Sequence, residues 1–186
     1  RDGVIRGLGL DPARPVSLLT YHPETLAPDE TADAIAAVLK AAAEIDSQIV
    51  FTAPTADTGN ALIRKAGSAF AAIRPGCVYR ESLGRALYLE LLNHADCMVG
   101  NSSSGIVEAA SFKLPEVNIG NRQKGRLADR NIIHCTSDAA SIAAAWRRAL
   151  DPVFRSGLAG LVNSYGDSAG RAVPRILAVL KSVALD

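Results

Sequence analysis

The chain has 186 residues, 48% of them hydrophobic, and its 20 Lys and Arg against 19 Asp and Glu leave a formal net charge of +1. This length can bury the core of one α/β domain, and the scattered charges form no basic stripe of the kind that binds nucleic acids or acidic membranes. No apolar run approaches the roughly 18 residues of a membrane span and no secretory signal opens the chain, so we expect a cytoplasmic protein. Because the chain starts at Arg1 rather than at Met, we expect a piece of a longer protein.

Short β-rich runs alternate with longer alanine-rich helical runs, which is typical of a parallel sheet covered on both faces. Residues 1–15, rich in Gly, Pro and Arg, predict a connector from a missing N-terminal domain, and residues 16–186 predict the domain itself. The predicted strands are 16–21, 48–52, 77–79, 97–99, 116–119 and 132–135. The predicted helices are 29–45, 59–71, 84–94, 105–112 and 137–150, with a turn and a last helix within 153–186. The expected fold is α/β, a doubly wound, mainly parallel sheet of about six strands.

Single residues predict where several helices begin and end. Asp29 and Asp138 suit the first turn of a helix as caps or as acidic first-turn residues. Pro115 ends the helix before the fifth strand, because proline cannot continue it. Pro174 has to lie in the first turn of the last helix, the part of a helix that tolerates proline.

The cysteines do not indicate a disulfide framework or a zinc site. Cys77, Cys97 and Cys135 are odd in number, lie far apart without C-x-x-C spacing, and stand in or beside apolar strands. His94 and His134 also lack a metal-ligand partner at a suitable spacing. We therefore expect reduced thiols that fill the core and no metal.

Residues 100–108, Gly-Asn-Ser-Ser-Ser-Gly-Ile-Val-Glu, stand where the fourth strand passes into a helix. The first backbone N–H groups of a helix have no acceptor within it, so together with three serine hydroxyls they suit a phosphate. Glu108, one turn later, could accept hydrogen bonds from vicinal hydroxyls such as those of a ribose. Ordinary capping also uses Ser and Gly, but it needs one serine, and a capping box places Glu three residues after the cap rather than four after Ser104.

Other polar residues also follow predicted strands, where ligands of open parallel sheets bind. His22 follows the first strand, and a histidine there either supports the structure or meets a ligand. Arg122, Lys124 and Arg126 follow the fifth strand. They form either a solvated loop or the basic loop that a diphosphate requires, and the residues alone leave both interpretations open.

Three separated motifs, in matching order and spacing, resemble the C-terminal half of the hydrolysing UDP-N-acetylglucosamine 2-epimerases. They are residues 20–26 (Thr-Tyr-His-Pro-Glu-Thr-Leu), residues 100–108, and residues 117–126 (Val-Asn-Ile-Gly-Asn-Arg-Gln-Lys-Gly-Arg). Residues 80–85 and 163–167 are similar to the family's F-x-S-L-G-R-x-x-Y segment and to its N-x-Y-G-D turn. The resemblance implies a glycosyltransferase-B architecture, with this chain as the second of two Rossmann-like halves and a UDP-sugar in the cleft between them.

The reaction that the resemblance implies is elimination followed by hydration. In that family a base removes the C2 proton while UDP leaves C1, and water adds to the resulting 2-acetamidoglucal to give UDP and a free 2-epimerised sugar. No metal or cofactor is implied. The carboxylates for proton abstraction and hydration belong to the family's N-terminal half, so the implied partner is that missing domain of the same protein. The resemblance also implies that the intact protein is a homo-oligomer.

The resemblance assigns roles to individual positions of this chain. His22 would assist the departure of UDP, and Arg122 would add charge near the nucleotide. The positions that match the family's other nucleotide contacts are Ser103, Ser104 and Gly105 for phosphate, Ser102 for support of the turn, Glu108 for the ribose, and Leu83 for the uracil. At residues 54–59 the family commonly has Pro-Asn-x-Asp-x-Gly, whereas this chain has Thr55 at the position of the Asn.

Two alternative functions belong to different classes. One is the C-terminal domain of a UDP-sugar glycosyltransferase, which would keep the phosphate edge and need an acceptor; residues 21–23 combined with 121–126 argue against it. The other is a non-catalytic nucleotide-sugar-binding module. A longer reading frame with a preceding domain that carries inward carboxylates would favour the epimerase over the module. The sugar itself, N-acetylglucosamine or a 2,4-diacetamido-trideoxy relative, depends on contacts that the missing half could supply.

Overall fold

The computed structural model describes residues 1–24, 31–55, 59–166 and 172–183. The predicted cap Asp29 lies outside these residues. So do parts of three family motifs, at residues 25–26, 56–58 and 167. Residues 168–171, which precede the last helix, also lie outside.

Six strands form one sheet in the order β3-β2-β1-β4-β5-β6, and every neighbouring pair is parallel. The strands are β1 Val16–Thr20, β2 Gln48–Thr52, β3 Cys77–Arg80, β4 Cys97–Gly100, β5 Glu116–Ile119 and β6 Ile132–Cys135. Each lies within one residue of its predicted bounds. The strand order reverses between β1 and β4, so the loops that leave these two neighbours open a crevice at the carboxyl edge of the sheet.

The helices are α1 Asp2–Gly7, α2 Thr31–Glu44, α3 Asn60–Ile73, α4 Gly84–His94, α5 Ser103–Val107, α6 Ala139–Leu150, α7 Pro152–Ser156 and α8 Ala172–Ser182. A 3₁₀ turn at Ala109–Phe112 follows α5, so the predicted helix 105–112 consists of two short pieces and starts two residues earlier. Asp138 caps α6 as predicted, since its carboxylate accepts a hydrogen bond from the Ser141 N–H at 2.9 Å. Pro174 is the third residue of α8 and so lies in its first turn.

Apolar side chains form two clusters, one on each face of the sheet. Leu19 belongs to the cluster that contains Trp146 of α6. Leu18 belongs to the cluster that contains Leu91 of α4, because successive residues of a strand point to opposite faces. Both faces of the sheet are covered, which explains why β1 and β2 are buried at every position, including their Ser, Thr and Gln residues. Each fully buried aliphatic side chain contributes about 1.5–3 kcal/mol to stability.

The first 15 residues contain α1, a helix that the sequence pattern did not predict. Ile5 of this helix is 0% exposed and packs in the same cluster as Leu8 and Leu10. The segment therefore contributes to the core of the domain. Its role as a connector stays a prediction.

The last helix, α8, differs from the others because its apolar side chains are exposed. Val173, Ile176, Leu177 and Leu180 follow the i, i+3, i+4, i+7 spacing of one helical face, and each is at least 48% exposed. A contiguous apolar face of this kind usually marks a surface that meets another protein segment. Within the described ranges, no helix has the length and apolar character needed to cross a membrane.

All three cysteines are free, as predicted. Cys77 and Cys97 are buried, and Cys135 is half-buried. Burial raises the pKa of the Cys77 thiol to about 11 and that of the Cys97 thiol to about 12. These thiols are therefore protonated and unreactive at neutral pH.

Candidate functional site

The crevice between β1 and β4 depends on a glycine. Gly100, at the end of β4, has a φ of +145°, and a Cβ at this position would lie 1.8 Å from the carbonyl oxygen of Thr20 in β1. The next residue, Asn101, donates its backbone N–H to the same carbonyl at 3.3 Å. The absence of a side chain at Gly100 thus lets the two strand ends approach closely.

The side chain of Asn101 joins the two loops that leave these strands. Its Oδ1 accepts a hydrogen bond from the His22 backbone N–H at 2.7 Å, and its Nδ2 donates to the His22 carbonyl at 2.9 Å. Asn101 is 0% exposed, so these hydrogen bonds satisfy backbone groups that water does not reach. The sequence offered one signal for this role, an amide residue directly after a strand-ending glycine.

The ring of His22 is buried and fixed by Thr55. The Thr55 backbone N–H donates to His22 Nδ1 at 3.2 Å, and the Thr55 hydroxyl oxygen lies 3.1 Å from the same nitrogen. A backbone N–H can only donate, so Nδ1 presents its lone pair and the neutral ring carries its proton on Nε2. Thr55, at the position of the family's Asn, therefore selects the tautomer of His22.

The three serines at residues 102–104 form a loop that we call the serine loop. Its first residue, Ser102, caps α5. Its Oγ accepts a hydrogen bond from the Ser104 N–H at 3.4 Å, and its carbonyl accepts one from the Gly105 N–H at 3.2 Å. Gly105 lies against the buried side chain of Glu116 in β5, and a Cβ on Gly105 would be 2.3 Å from its carboxyl carbon. Burial raises the pKa of Glu116 well above its ordinary value. The turn thus rests on a buried carboxyl group that sequence reasoning did not single out, because a lone Glu in an apolar strand carries no motif.

Glu108 is connected to α4 through two hydroxyl groups. Ser104 Oγ donates to Glu108 Oε2 at 2.5 Å, and Tyr88 Oη donates to Ser104 Oγ at 2.7 Å. The hydroxyl of Ser104 has one proton, and this arrangement directs it to the carboxylate. A phosphate contact from that hydroxyl would require it to rotate away from Glu108.

One cleft of about 420 Å³ at the carboxyl edge gathers most of the predicted site residues. The predicted residues that line it are His22, Thr55, Leu83, Ser102, Ser104 and Glu108. Leu83 directly precedes α4 and is one of the residues at this cleft. Ser103 and Gly105 belong to the first turn of α5 but are not among the lining residues.

The basic loop after β5 divides into two parts. The exposed Arg122 donates from Nη1 to the Asn101 carbonyl at 3.1 Å, and its neighbour Gln123 donates from Nε2 to the same oxygen at 2.7 Å. Lys124 and Arg126 instead line a separate cavity of about 480 Å³ near the ends of β5 and β6. Arg122 is therefore the member of this loop that the fold ties to the serine loop.

The sequence matches a known family over most of its length. The profile of the UDP-N-acetylglucosamine 2-epimerase family matches residues 4–181. The chain is 34% identical over 186 residues, all of its length, to the UDP-N,N'-diacetylbacillosamine 2-epimerase (hydrolyzing) of Legionella pneumophila, of which it covers 47%. It is 40% identical over 118 residues to the GDP/UDP-N,N'-diacetylbacillosamine 2-epimerase (hydrolyzing) of Campylobacter jejuni, with 62% of this chain and 31% of that protein covered.

Among solved structures, the S. aureus MnaA–UDP co-structure is similar with a TM-score of 0.74 at 14% identity, over 98% of this chain and 50% of that chain. This likeness confirms the predicted fold, one Rossmann-like half of a glycosyltransferase-B architecture. The chain spans about half the length, or less, of the proteins it matches. By the extent of the profile match and the full-length identity to its relative, the chain belongs to the UDP-N-acetylglucosamine 2-epimerase family.

Proposed function

We propose that this chain is the nucleotide-binding half of a hydrolysing UDP-sugar 2-epimerase, which converts a UDP-linked N-acetyl sugar to UDP and the free 2-epimerised sugar. The observation that carries the proposal is the meeting of His22, Glu108 and the serine loop in one cleft at the point where the strand order reverses. Ligands of doubly wound folds bind at this point.

The cleft offers a partner for each part of a uridine diphosphate. Glu108 provides the carboxylate oxygens that accept hydrogen bonds from the ribose hydroxyls. The diphosphate lies at the serine loop, and the guanidinium of Arg122 is held next to this loop by its hydrogen bond to the Asn101 carbonyl. The uracil meets the backbone near Leu83, which lines the same cleft.

His22 assists the departure of UDP in this proposal. Breaking the C1–O bond leaves the electron pair on the diphosphate oxygen, and the Nε2–H of His22 stabilises or protonates that oxygen. The Thr55 N–H holds the ring in the tautomer that this step needs. Water then adds its oxygen to C1 and a proton to C2 of the unsaturated intermediate, so that the free sugar differs from the substrate at C2.

The base that takes the C2 proton comes from a preceding half of the same protein. Among the described residues, the carboxylates that line the cleft are Glu81 and Glu108. Glu81 forms an ion pair with Arg64, and Glu108 accepts the Ser104 hydroxyl. Two observations support a further half: the chain covers 47% of the L. pneumophila relative, and α8 exposes an apolar face.

The names of two relatives support a UDP-linked 2,4-diacetamido sugar as a substrate to be compared with UDP-N-acetylglucosamine. The decisive experiment incubates the full-length protein with each sugar nucleotide in D₂O and follows UDP and free sugar by NMR. We expect release of UDP and a 2-epimerised sugar that carries deuterium at C2. Product without deuterium at C2 contradicts the elimination mechanism. Equal turnover by the 186-residue chain alone contradicts the assignment of the base to a preceding half.

A further inference from the structure

We infer that Tyr88 is a positioning residue which, through Ser104, orients the carboxylate of Glu108 and so sets the preference of the cleft for a ligand with a vicinal diol. This inference rests on the proposed function, because it refines the role of Glu108 in binding a ribose. None of the sequence motifs assigned a role to the hydroxyl of Tyr88.

The hydrogen bonds between these residues have one consistent direction. A carboxylate can only accept, so Ser104 Oγ donates its single proton to Glu108 Oε2 over 2.5 Å. Ser104 Oγ can then only accept from Tyr88, whose Oη donates to it over 2.7 Å. Because Tyr88 donates to Ser104 Oγ, the proton of the Ser104 hydroxyl is directed to Glu108 and not to another acceptor.

The surroundings of Tyr88 keep its hydroxyl a donor. The side chain lies on α4 and lines the cleft, and its Oη is 3.9 Å from Sδ of the buried Met98. Burial raises the pKa of Tyr88 to about 12, so the hydroxyl keeps its proton over the whole physiological range. The direction of the relay is therefore independent of pH near neutrality.

The backbone next to Glu108 is held separately, by Asn163. Asn163 donates from Nδ2 to the Val107 carbonyl at 2.8 Å and to Ser111 Oγ at 2.7 Å. Residues 163–167 match the family's N-x-Y-G-D turn, and this contact gives their Asn a structural role. Since Asn163 fixes the main chain, loss of the Tyr88 hydroxyl is expected to affect only the side chain of Glu108.

An oriented carboxylate binds a diol better than a mobile one. A free Glu side chain samples several rotamers, and a ligand that needs one of them bears the cost of selecting it. The Ser104 hydrogen bond selects the rotamer before the ligand arrives. The benefit appears only for ligands that use Glu108, which are those with both ribose hydroxyls.

The test compares the dissociation constants of UDP and 2′-deoxy-UDP by calorimetry. For the unaltered chain we expect UDP to bind more tightly by on the order of tenfold, the effect of a hydrogen bond to a charged group. Tyr88→Phe should reduce this ratio by at least about threefold and leave the affinity for 2′-deoxy-UDP within about twofold. Tyr79→Phe is the matched control, because the buried Tyr79 hydroxyl has no hydrogen-bond partner among the described residues, and its ratio should not change.

The outcomes separate this inference from the proposed function. A ratio near one in the unaltered chain, or an unchanged ratio in Glu108→Ala, contradicts the ribose site itself. If Glu108→Ala abolishes the ratio and Tyr88→Phe retains it, the ribose site stands and the role of Tyr88 is wrong. Equal weakening of both ligands by Tyr88→Phe also overturns the inference, because it shows a general structural effect. Should Tyr88→Phe fold poorly, Ser104→Ala interrupts the same relay and must lower the ratio.

Discussion

Gly105 lies directly against the buried carboxyl group of Glu116, and this contact leaves no room for a side chain at position 105 of α5. A Cβ on Gly105 would be 2.3 Å from both the carboxyl carbon and one of its oxygens. Real Cβ atoms do not approach other atoms so closely, so one of the two groups would have to move. Both are buried, and the strand below cannot yield easily.

Gly105→Ala should therefore destabilise the chain by about 1–3 kcal/mol, the usual effect of overpacking. In the background of Glu116→Ala the same substitution should cost less than about 1 kcal/mol, since the obstructing carboxyl group is gone. Urea unfolding of the four chains of this cycle measures both values. An equal cost in both backgrounds would show that the contact between the two residues is not the cause.

Glu116→Gln should remove a pH dependence of stability. Burial raises the pKa of Glu116 well above its ordinary value of 4.5, so the folded chain keeps a proton that the unfolded chain releases. The free energy of unfolding contributed by this group therefore falls as the pH rises from about 4.5 toward the raised folded pKa. The Gln variant should gain stability relative to the unaltered chain as the pH rises from about 4.5 toward that raised pKa. Parallel profiles of stability against pH would contradict this, and Asp33→Asn, at an exposed carboxylate in the first turn of α2, is the control that should give them.

Asn101→Ala should destabilise the chain by about 2–4 kcal/mol, because it leaves the buried N–H and carbonyl of His22 without their partners. Asn101→Asp keeps the acceptor for the N–H and loses the donor to the carbonyl, so a charge faces an oxygen in a buried site. We expect it to be no better than Ala at neutral pH. Thermal and urea unfolding measure both variants. A loss below about 0.5 kcal/mol for Asn101→Ala would mean that water replaces the side chain.

His22→Ala in the full-length protein should lower turnover by about 10²–10⁴, the usual range for a positioned proton donor. The affinity for UDP should stay within a few-fold, because the serine loop, Arg122 and Glu108 remain. The matched control is His94→Ala, at the end of α4 and outside the residues that line the cleft. A large loss of UDP affinity with unchanged turnover of bound substrate would assign His22 to binding instead.

The strands were predictable because short β-rich runs such as Gln48–Thr52, whose centre is apolar, alternate with longer helical runs. The six-residue α1 was not, since it is too short for a periodic pattern and has Gly3 inside it. His22, the serine loop and the loop that contains Arg122 could be placed at one edge of the sheet because parallel strands end there together. The contact between Tyr88 and Ser104 and the burial of Glu116 depend on residues that are distant in sequence. The sequence pattern does not show which distant residues meet. The charge pattern alone could not separate Arg122 from Lys124 and Arg126, because the three basic residues stand at every second position of one loop. Their different surroundings are seen only in the fold.

The hydrogen bonds of Asn101 also join three separate loops of the domain. Asn101 itself belongs to the segment after β4, and its side chain forms hydrogen bonds with the segment after β1. Its carbonyl accepts hydrogen bonds from Arg122 and Gln123 of the segment after β5. The hydrogen bonds of Asn101 thereby connect three loops that are far apart along the polypeptide. In the proposed function, two hydrogen bonds in series connect Arg122 at the diphosphate to the backbone of His22, so we expect a shift of one residue to move the other.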